Sequence, residues 1–293
     1  MATFLLVDSY NLIFRAFYGM PDLRRSDGMP TQALHGWMRM LWALEDMHHP
    51  DGILCFFDLG EPVRQLQIRS DYKAQRKETP ADLIVQVPFI RELTTFLGWG
   101  PIETHGVEAD DLIASCARRF SDEGHRVKIV SADKDLAQCL VYDQVTQLLP
   151  GAPGGGWHEI DAEGVVQKFG VNATQIADFL ALTGDAVDNI PGIEGVGSKT
   201  AAKWLNQYRT IDQIIANSGA IKPTRFQSII HASQSKIREN RKMTGLDFDQ
   251  IVDTQSVKAP AYAAAIDLMQ MLEMRKLASD AVKRYARDSG SKI

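Results

Sequence analysis

The stretch FLLVD, residues 4–8, is a short apolar run closed by an acid. An apolar run of this length suits a strand buried on both faces. Two further runs repeat the pattern: residues 53–57 lead into Asp58, and residues 127–130 lead into Ser131, Ala132 and Asp133. Between and after them the apolar residues take helical spacing, first at Leu34, Trp37, Met38, Leu41 and Leu44, then at Leu112, Ile113, Cys116, Ala117 and Phe120. Alternating strands and helices predict an α/β chain with a mostly parallel central sheet flanked by helices. Ligands of such sheets lie beyond the carboxyl ends of the strands, where Asp8, Asp58 and Asp133 fall.

Three compact acidic groups accompany those strand ends: VEADD at 107–111, SADKD at 131–135 and GDAVD at 184–188. Singly, each has an ordinary structural reading. Glu108, Asp110 and Asp111 complement the positive end of a following helix, Asp133 and Asp135 cap a helix, and Asp185 and Asp188 form a solvated turn. A parallel sheet, however, gathers them at one edge. Two carboxylates about 4 Å apart repel by roughly 4 kcal/mol at an effective dielectric near 20, so such a cluster requires cations. Oxygen ligands without Cys or His favour Mg²⁺ or Mn²⁺ over zinc, and a pair of such ions suits attack of water on a phosphodiester.

Composition is that of an ordinary globular chain, with 293 residues, 45% hydrophobic and 24% charged. No apolar run approaches the roughly 20 residues of a membrane helix, and the opening MATFLLVDSYN reaches an acid too early for a signal peptide. A cytoplasmic protein that makes no membrane contact is expected. The three cysteines form no CxxC pair and the histidines no HExxH motif, which excludes a disulfide framework and a zinc site of those patterns. The net charge of −5 hides a division along the chain. Residues 100–190 hold 15 acids against 6 bases, a balance of −9, whereas residues 195–245 hold 9 bases against 2 acids, a balance of +7. A local basic face for nucleic acid therefore fits the chain despite its average.

GDAVDNIPGIEGVGSK, 184–199, spans that division: acids at its start, glycines in the middle, Ser198 and Lys199 at its end. Residues 61–87 are polar and rich in Arg and Lys, a long connection that reads as a functional crossing segment or a surface loop. The run LPGAPGGGW, 149–157, lacks the Gly-Lys-Ser ending of a phosphate loop and reads as a hairpin turn. From about Asp178 the pattern is helical throughout, with Gly and Pro marking the breaks. A final helix over about 262–286 carries Ile266, Met269, Leu272 and Leu277 on a packing face.

The motifs LLVD, CFFD, YKAQR, GVEADD, SADKD and GDAVDNIPGIEGVGSKTA, spread in order over residues 5–202, resemble the bacterial and phage 5′-nuclease, or flap endonuclease, family, including the 5′-3′ exonuclease domain of bacterial DNA polymerase I. The resemblance implies a PIN-like nuclease core over 1–178 with a helical arch at about 61–90, a helix-hairpin-helix DNA-binding region over 179–245, and a C-terminal helical segment over 246–293 packed on the core. It implies structure-specific 5′-3′ exonuclease and flap endonuclease activity in replication and repair, acting as a monomer on DNA with 5′ flaps, overhangs, nicks or gaps, and on RNA primer/DNA hybrids. Two Mg²⁺ ions, or Mn²⁺, would be held by Asp8, Asp58, Glu108, Asp110 and Asp111 at one position and Asp133, Asp135, Asp185 and Asp188 at the other.

By the same resemblance, Lys73 and Arg76 neutralise the scissile phosphate, Tyr72 stacks on a base, and Arg15 contacts phosphate. The family carries Phe-Arg seven residues before that tyrosine, whereas Val63-Arg64 here ends eight before it. Gly195, Gly197, Ser198, Lys199 and Lys203 correspond to the backbone-binding hairpin, with a helix start at Ser198 aimed at phosphate. Leu182, Pro191, Ile193 and Val196 would offer carbonyls to K⁺. Two rivals remain beside this reading: a non-catalytic junction binder, which would lack carboxylates, and a PIN-type single-strand RNase, which would not need the arch or hairpin.

Overall fold

Alternation within single strands sets the architecture of the computed structural model, which describes residues 1–151, 155–255 and 257–285. In β1 (Thr3–Asp8), Leu6 faces one hydrophobic core while Leu5 and Val7 face another. In β2 (Gly52–Phe56), Leu54 and Phe56 join the first core and Ile53 and Cys55 the second. Strands buried on both faces have no polar side to alternate with, which is why they read as continuous apolar runs. Each fully buried Leu or Phe contributes roughly 1.5–3 kcal/mol through its removal from water.

The six-stranded sheet has the order β3-β2-β1-β4-β5-β6, with β3 at Gly100–Ile102, β4 at Arg126–Val130, β5 at Val145–Pro150 and β6 at Trp157–Ile160. All neighbours pair in parallel except β5 with β6. The expected hairpin is that antiparallel pair, and its tip at 152–154 lies outside the described residues. Strand β1 and its neighbours β2 and β4 end at the same edge, which brings together the segments that follow them.

The helices are α1 (Ser9–Gly19), α2 (Gln32–His48), α3 (Val63–Ile68), α4 (Ala81–Ile84), α5 (Val87–Phe96), α6 (Ala109–Asp122), α7 (Ala162–Phe169), α8 (Ile176–Thr183), α9 (Ser198–Tyr208), α10 (Ile211–Ala216), α11 (Phe226–Ala232), α12 (Gln234–Thr244), α13 (Tyr262–Met271) and α14 (Arg275–Tyr285). One core holds α6, α8 and α9, and the other holds α2, α5, α13 and α14. A two-stranded hairpin, β7 (Gly184–Asp185) with β8 (Ile190–Pro191), joins α8 to the segment before α9.

Two expectations are corrected. The segment after Asp178 is not helical throughout, since the β7–β8 hairpin interrupts it and residues 246–255 and 257–261 carry no helix. The last helix is two: the chain turns at Leu272–Met274, where Glu273 takes a left-handed φ of 57° without a glycine to mark it. Helix α9 starts at Ser198 as expected, with Gly197 in the cap position and no side-chain hydrogen bond there.

Candidate metal centre and nucleic-acid interface

Asp8 ends β1 and caps α1, with one oxygen accepting from the Asn11 N–H at 3.2 Å and the other from the Ser131 hydroxyl at 2.7 Å. Asp58, two residues beyond β2, accepts the Ala109 N–H at 2.8 Å and so caps α6 from a different element. That contact holds Glu108 and Asp110, which flank Ala109, beside the β1 and β2 ends. Asp133 follows β4 and accepts the Asp135 N–H at 2.9 Å, while the Gln147 side chain on β5 ties down the Ser131 and Asp133 carbonyls at 3.0 and 2.6 Å. From the opposite side the β7–β8 hairpin presents Asp185 and Asp188. Oxygens of Asp135, Asp185 and Asp188 lie within 4.8 Å of one another.

Electrostatics match the geometry. Burial pushes the Asp8 carboxyl up to about 7, with Asp133 adding to the rise against the opposing hydrogen bond from Ser131. Asp110 lies well above the usual carboxylate range, first through burial and then through Asp133, Asp8 and Glu108. Burial likewise raises Asp133 and Asp135, with Asp185 and Asp188 contributing to each. These groups resist accumulating negative charge unless cations join them. One oxygen of Asp135 is buried and has no hydrogen-bond partner, so it is free to ligate. An all-oxygen donor set at this spacing fits a hard divalent ion.

The cationic crossing segment lies down on this edge. Lys73 bonds to Glu108, Arg76 reaches Asp188 at 2.9 Å, and the Lys73 N–H donates to the Asp188 carbonyl at 3.3 Å. Burial lowers the Lys73 pKa, but Glu108 and Asp188 outweigh it and leave the ammonium firmly charged. Lys134, which the motif reading passed over, pairs with Asp185 at 2.9 Å. Its position between two site acids in SADKD is the sequence signal that could have found it. Asn189 is a second such residue, since its amide donates to the Asp71 carbonyl at 2.9 Å and ties the hairpin to the crossing segment.

Tyr72, Asp111, Arg64 and Arg15 are each engaged within the protein. Tyr72 is buried, its ring packed with Ile190 and Met243 and its hydroxyl donating towards Glu108 and Asp188 at 3.2–3.3 Å, so the ring presents no free face to a base. Asp111 is turned away from the shared edge. Arg64 holds both its oxygens at 3.1 Å, the Asp247 N–H donates to one at 2.8 Å, and Gln65 approaches the other at 3.5 Å. Arg64 is thereby placed as a tie between α3, α6 and the Gly245 carbonyl. Arg15 donates to the Gly151 carbonyl at the β5–β6 hairpin.

The basic region begins directly after the metal-side hairpin. Gly195 has a φ of 72°, a value that L side chains avoid, and it turns the chain into the start of α9. Lys199 and Lys203 are both exposed and lie one helical turn apart. Of the four carbonyls considered for K⁺, those of Leu182, Pro191 and Ile193 each accept an internal hydrogen bond, from Ile193, Asn240 and Val196 respectively.

Comparison with known proteins bears on the family and the fold. Residues 3–170 match the model for the 5′-3′ exonuclease N-terminal resolvase-like domain, and residues 171–264 match the 5′-3′ exonuclease C-terminal SAM fold. A 5′-3′ exonuclease of Aquifex aeolicus is 36% identical over 294 residues, covering 99% of this chain and 98% of that protein. DNA polymerase I of Mycobacterium tuberculosis is 37% identical over 246 residues, which span 83% of this chain but 27% of the polymerase. Among solved structures, a bacteriophage T5 flap endonuclease complex with DNA and metal ions superposes with a TM-score of 0.70 at 20% identity, covering 96% of this chain and 98% of that one. Human GEN1 bound to Holliday junction DNA gives 0.63 at 12% identity, over 100% of this chain and 75% of the other. At those identities the two structures speak for the fold, and the sequence matches speak for kinship: the chain belongs to the 5′-3′ exonuclease family.

Proposed function

We propose that this nuclease is a structure-specific 5′-3′ exonuclease and flap endonuclease that uses two divalent ions, Mg²⁺ or Mn²⁺, and cuts DNA near the junction between duplex and a 5′ single strand. The observation that carries the reading is the convergence of Asp8, Asp58, Glu108, Asp110, Asp133, Asp135, Asp185 and Asp188 on one sheet edge with cations laid across it. Asp8, Asp58, Glu108 and Asp110 would hold one ion, and Asp133, Asp135, Asp185 and Asp188 the other. When bound, such a pair supplies Lewis-acid activation of the attacking water and neutralises charge on the phosphate.

The chain's own residues do the rest. Lys73 and Arg76 offer their donors to phosphate oxygens in exchange for the carboxylates they now hold, and stabilise negative charge as it develops. Until that exchange Glu108 accepts from Lys73 and Tyr72. Lys199 and Lys203 at the start of α9 grip the duplex backbone without reading bases, since phosphate contacts position and do not specify. A K⁺ ion among the carbonyls of Leu182, Pro191, Ile193 and Val196 would stiffen this grip. The products would be a 5′ phosphate and a 3′ hydroxyl, and the natural substrates flaps and primers left in replication and repair.

Matched 5′-flap DNA and single-stranded RNA incubated with the protein and Mg²⁺ provide the test. Incision of the flap at its base with the RNA intact is the expected result. Preferential cleavage of the RNA would point to the PIN-type alternative, and binding without cleavage of either to a junction binder.

A further inference from the structure

Helix α12 is polar along most of its surface, yet Asn240 in its middle is fully buried, with 0% exposure. A buried amide in a helix needs partners; the NH₂ of Asn240 finds them off its own element, while its Oδ1 is buried without one. Its Nδ2 donates to the Ala181 carbonyl at 3.0 Å and to the Pro191 carbonyl at 2.9 Å. Ala181 lies in the last turn of α8, where carbonyls lack helical partners, and Pro191 lies on the returning arm β8. One NH₂ group therefore bridges the end of α8, which leads into the hairpin that carries Asp185 and Asp188, and the returning arm of that hairpin.

Beside this bridge, the Ile193 N–H donates to the Leu182 carbonyl at 2.9 Å and the Lys236 ammonium to the Gly192 carbonyl at 2.9 Å. At the base of the hairpin Gly184 and Gly192 cross with no room for a side chain: a Cβ on Gly184 would fall 2.2 Å from the Gly192 nitrogen, and one on Gly192 would fall 2.2 Å from the Thr183 carbonyl oxygen. At that crossing the two backbones touch without intervening side chains, so hydrogen bonds to their carbonyls share in setting the separation. The ladder pairs only Gly184 with Pro191 and Asp185 with Ile190. A shift at this base moves Asp185 directly and Asp188 with it, relative to Asp135 on the other side of the cluster.

We infer that Asn240 is a positioning residue for the second ion: it sets the hairpin base and thereby the spacing of Asp185 and Asp188 against Asp135. The inference rests on the proposed ligand role of those acids. It also connects the basic helical region to the metal centre through one buried side chain.

The test compares Asn240→Leu with Thr244→Val and Asp185→Asn in the full chain. Thr244 is buried on the same α8–α12 seam and donates to the Ala177 carbonyl at 2.8 Å, about two helical turns before the hairpin. Mn²⁺ binding is followed by the electron paramagnetic resonance signal of the free ion, alongside the Mg²⁺ dependence of flap cleavage and thermal melts. N240L should weaken the weaker Mn²⁺ by about tenfold, in the range typical for partners that orient metal ligands. It should raise the Mg²⁺ requirement in step, while turnover at saturating Mg²⁺ stays within about threefold of wild type. T244V should lower the melting temperature without changing Mn²⁺ affinity. Wild-type Mn²⁺ affinity in N240L, or equal weakening in N240L and T244V, overturns the inference. If D185N keeps both ions at wild-type affinity, the ligand assignment fails instead. Where N240L gives no cooperative melt, Asn240→Ser, which retains one donor, takes its place; a partial loss of Mn²⁺ affinity supports the inference and none overturns it.

Discussion

Asp110 and Asp111 are neighbours in sequence with opposite fates. Successive residues on a helix point about 100° apart, so only one of the pair can face the shared edge while the other turns into the protein. Asp111 meets Arg64 there, and every oxygen is engaged. Asp111→Asn should therefore leave Mn²⁺ binding within about twofold of wild type, whereas Asp110→Asn should weaken it by tenfold or more, about the loss expected at a metal site. Equal losses in the two variants would restore Asp111 to the ligand set. Removing Arg64 strands a carboxylate that is 2% exposed. Because Arg64 itself is about one-third exposed, the full cost of a broken buried pair does not apply; Arg64→Ala should lose roughly 1–3 kcal/mol in urea denaturation. An unchanged midpoint would show the tie to be incidental.

At the level of elements, the acids closing the apolar runs of β1, β2 and β4 were legible because each buried parallel strand announces both its path and its end. The hairpin between β5 and β6 was legible from its glycines. Other features left no local mark. Glu273 turns the chain in a left-handed conformation with no glycine, so α13 and α14 read as one helix. Tyr72 lies in a basic, polar stretch and became buried only because the crossing segment folds onto the hairpin through Lys73 and Asp188, a tertiary contact that composition does not encode. The start of α9 is also an element-scale claim. Lys199→Ala should weaken duplex binding and reduce the slope of log K against log salt by about one. An unchanged slope would remove Lys199 from the phosphate contacts.

Across the whole molecule, the metal centre sets how stability responds to pH. Without cations, Asp8, Asp110, Asp133 and Asp135 all sit above the ordinary carboxylate value, so the folded state binds more protons than the unfolded chain. Stability present at low pH is then lost as pH rises through the folded values, beginning near 4 and reaching past about 7 for Asp8. Each tenfold difference in proton affinity between the folded and unfolded chain is worth about 1.4 kcal/mol, so the loss is on the order of a few kcal/mol. The melting temperature in chelator should fall between pH 5 and pH 8, and excess Mg²⁺ at pH 8 should restore it. A flat profile in chelator would mean that the carboxylates are not crowded as described. The central claim is that the hairpin acids cut while the basic region holds. It is tested most directly by Asp185→Asn assayed on one 5′-flap DNA for both binding and Mg²⁺-dependent cleavage. The account predicts binding within about threefold of wild type and cleavage reduced by about 10²–10³-fold, the scale lost with one well-placed electrostatic group; near wild-type turnover by the purified variant would contradict it.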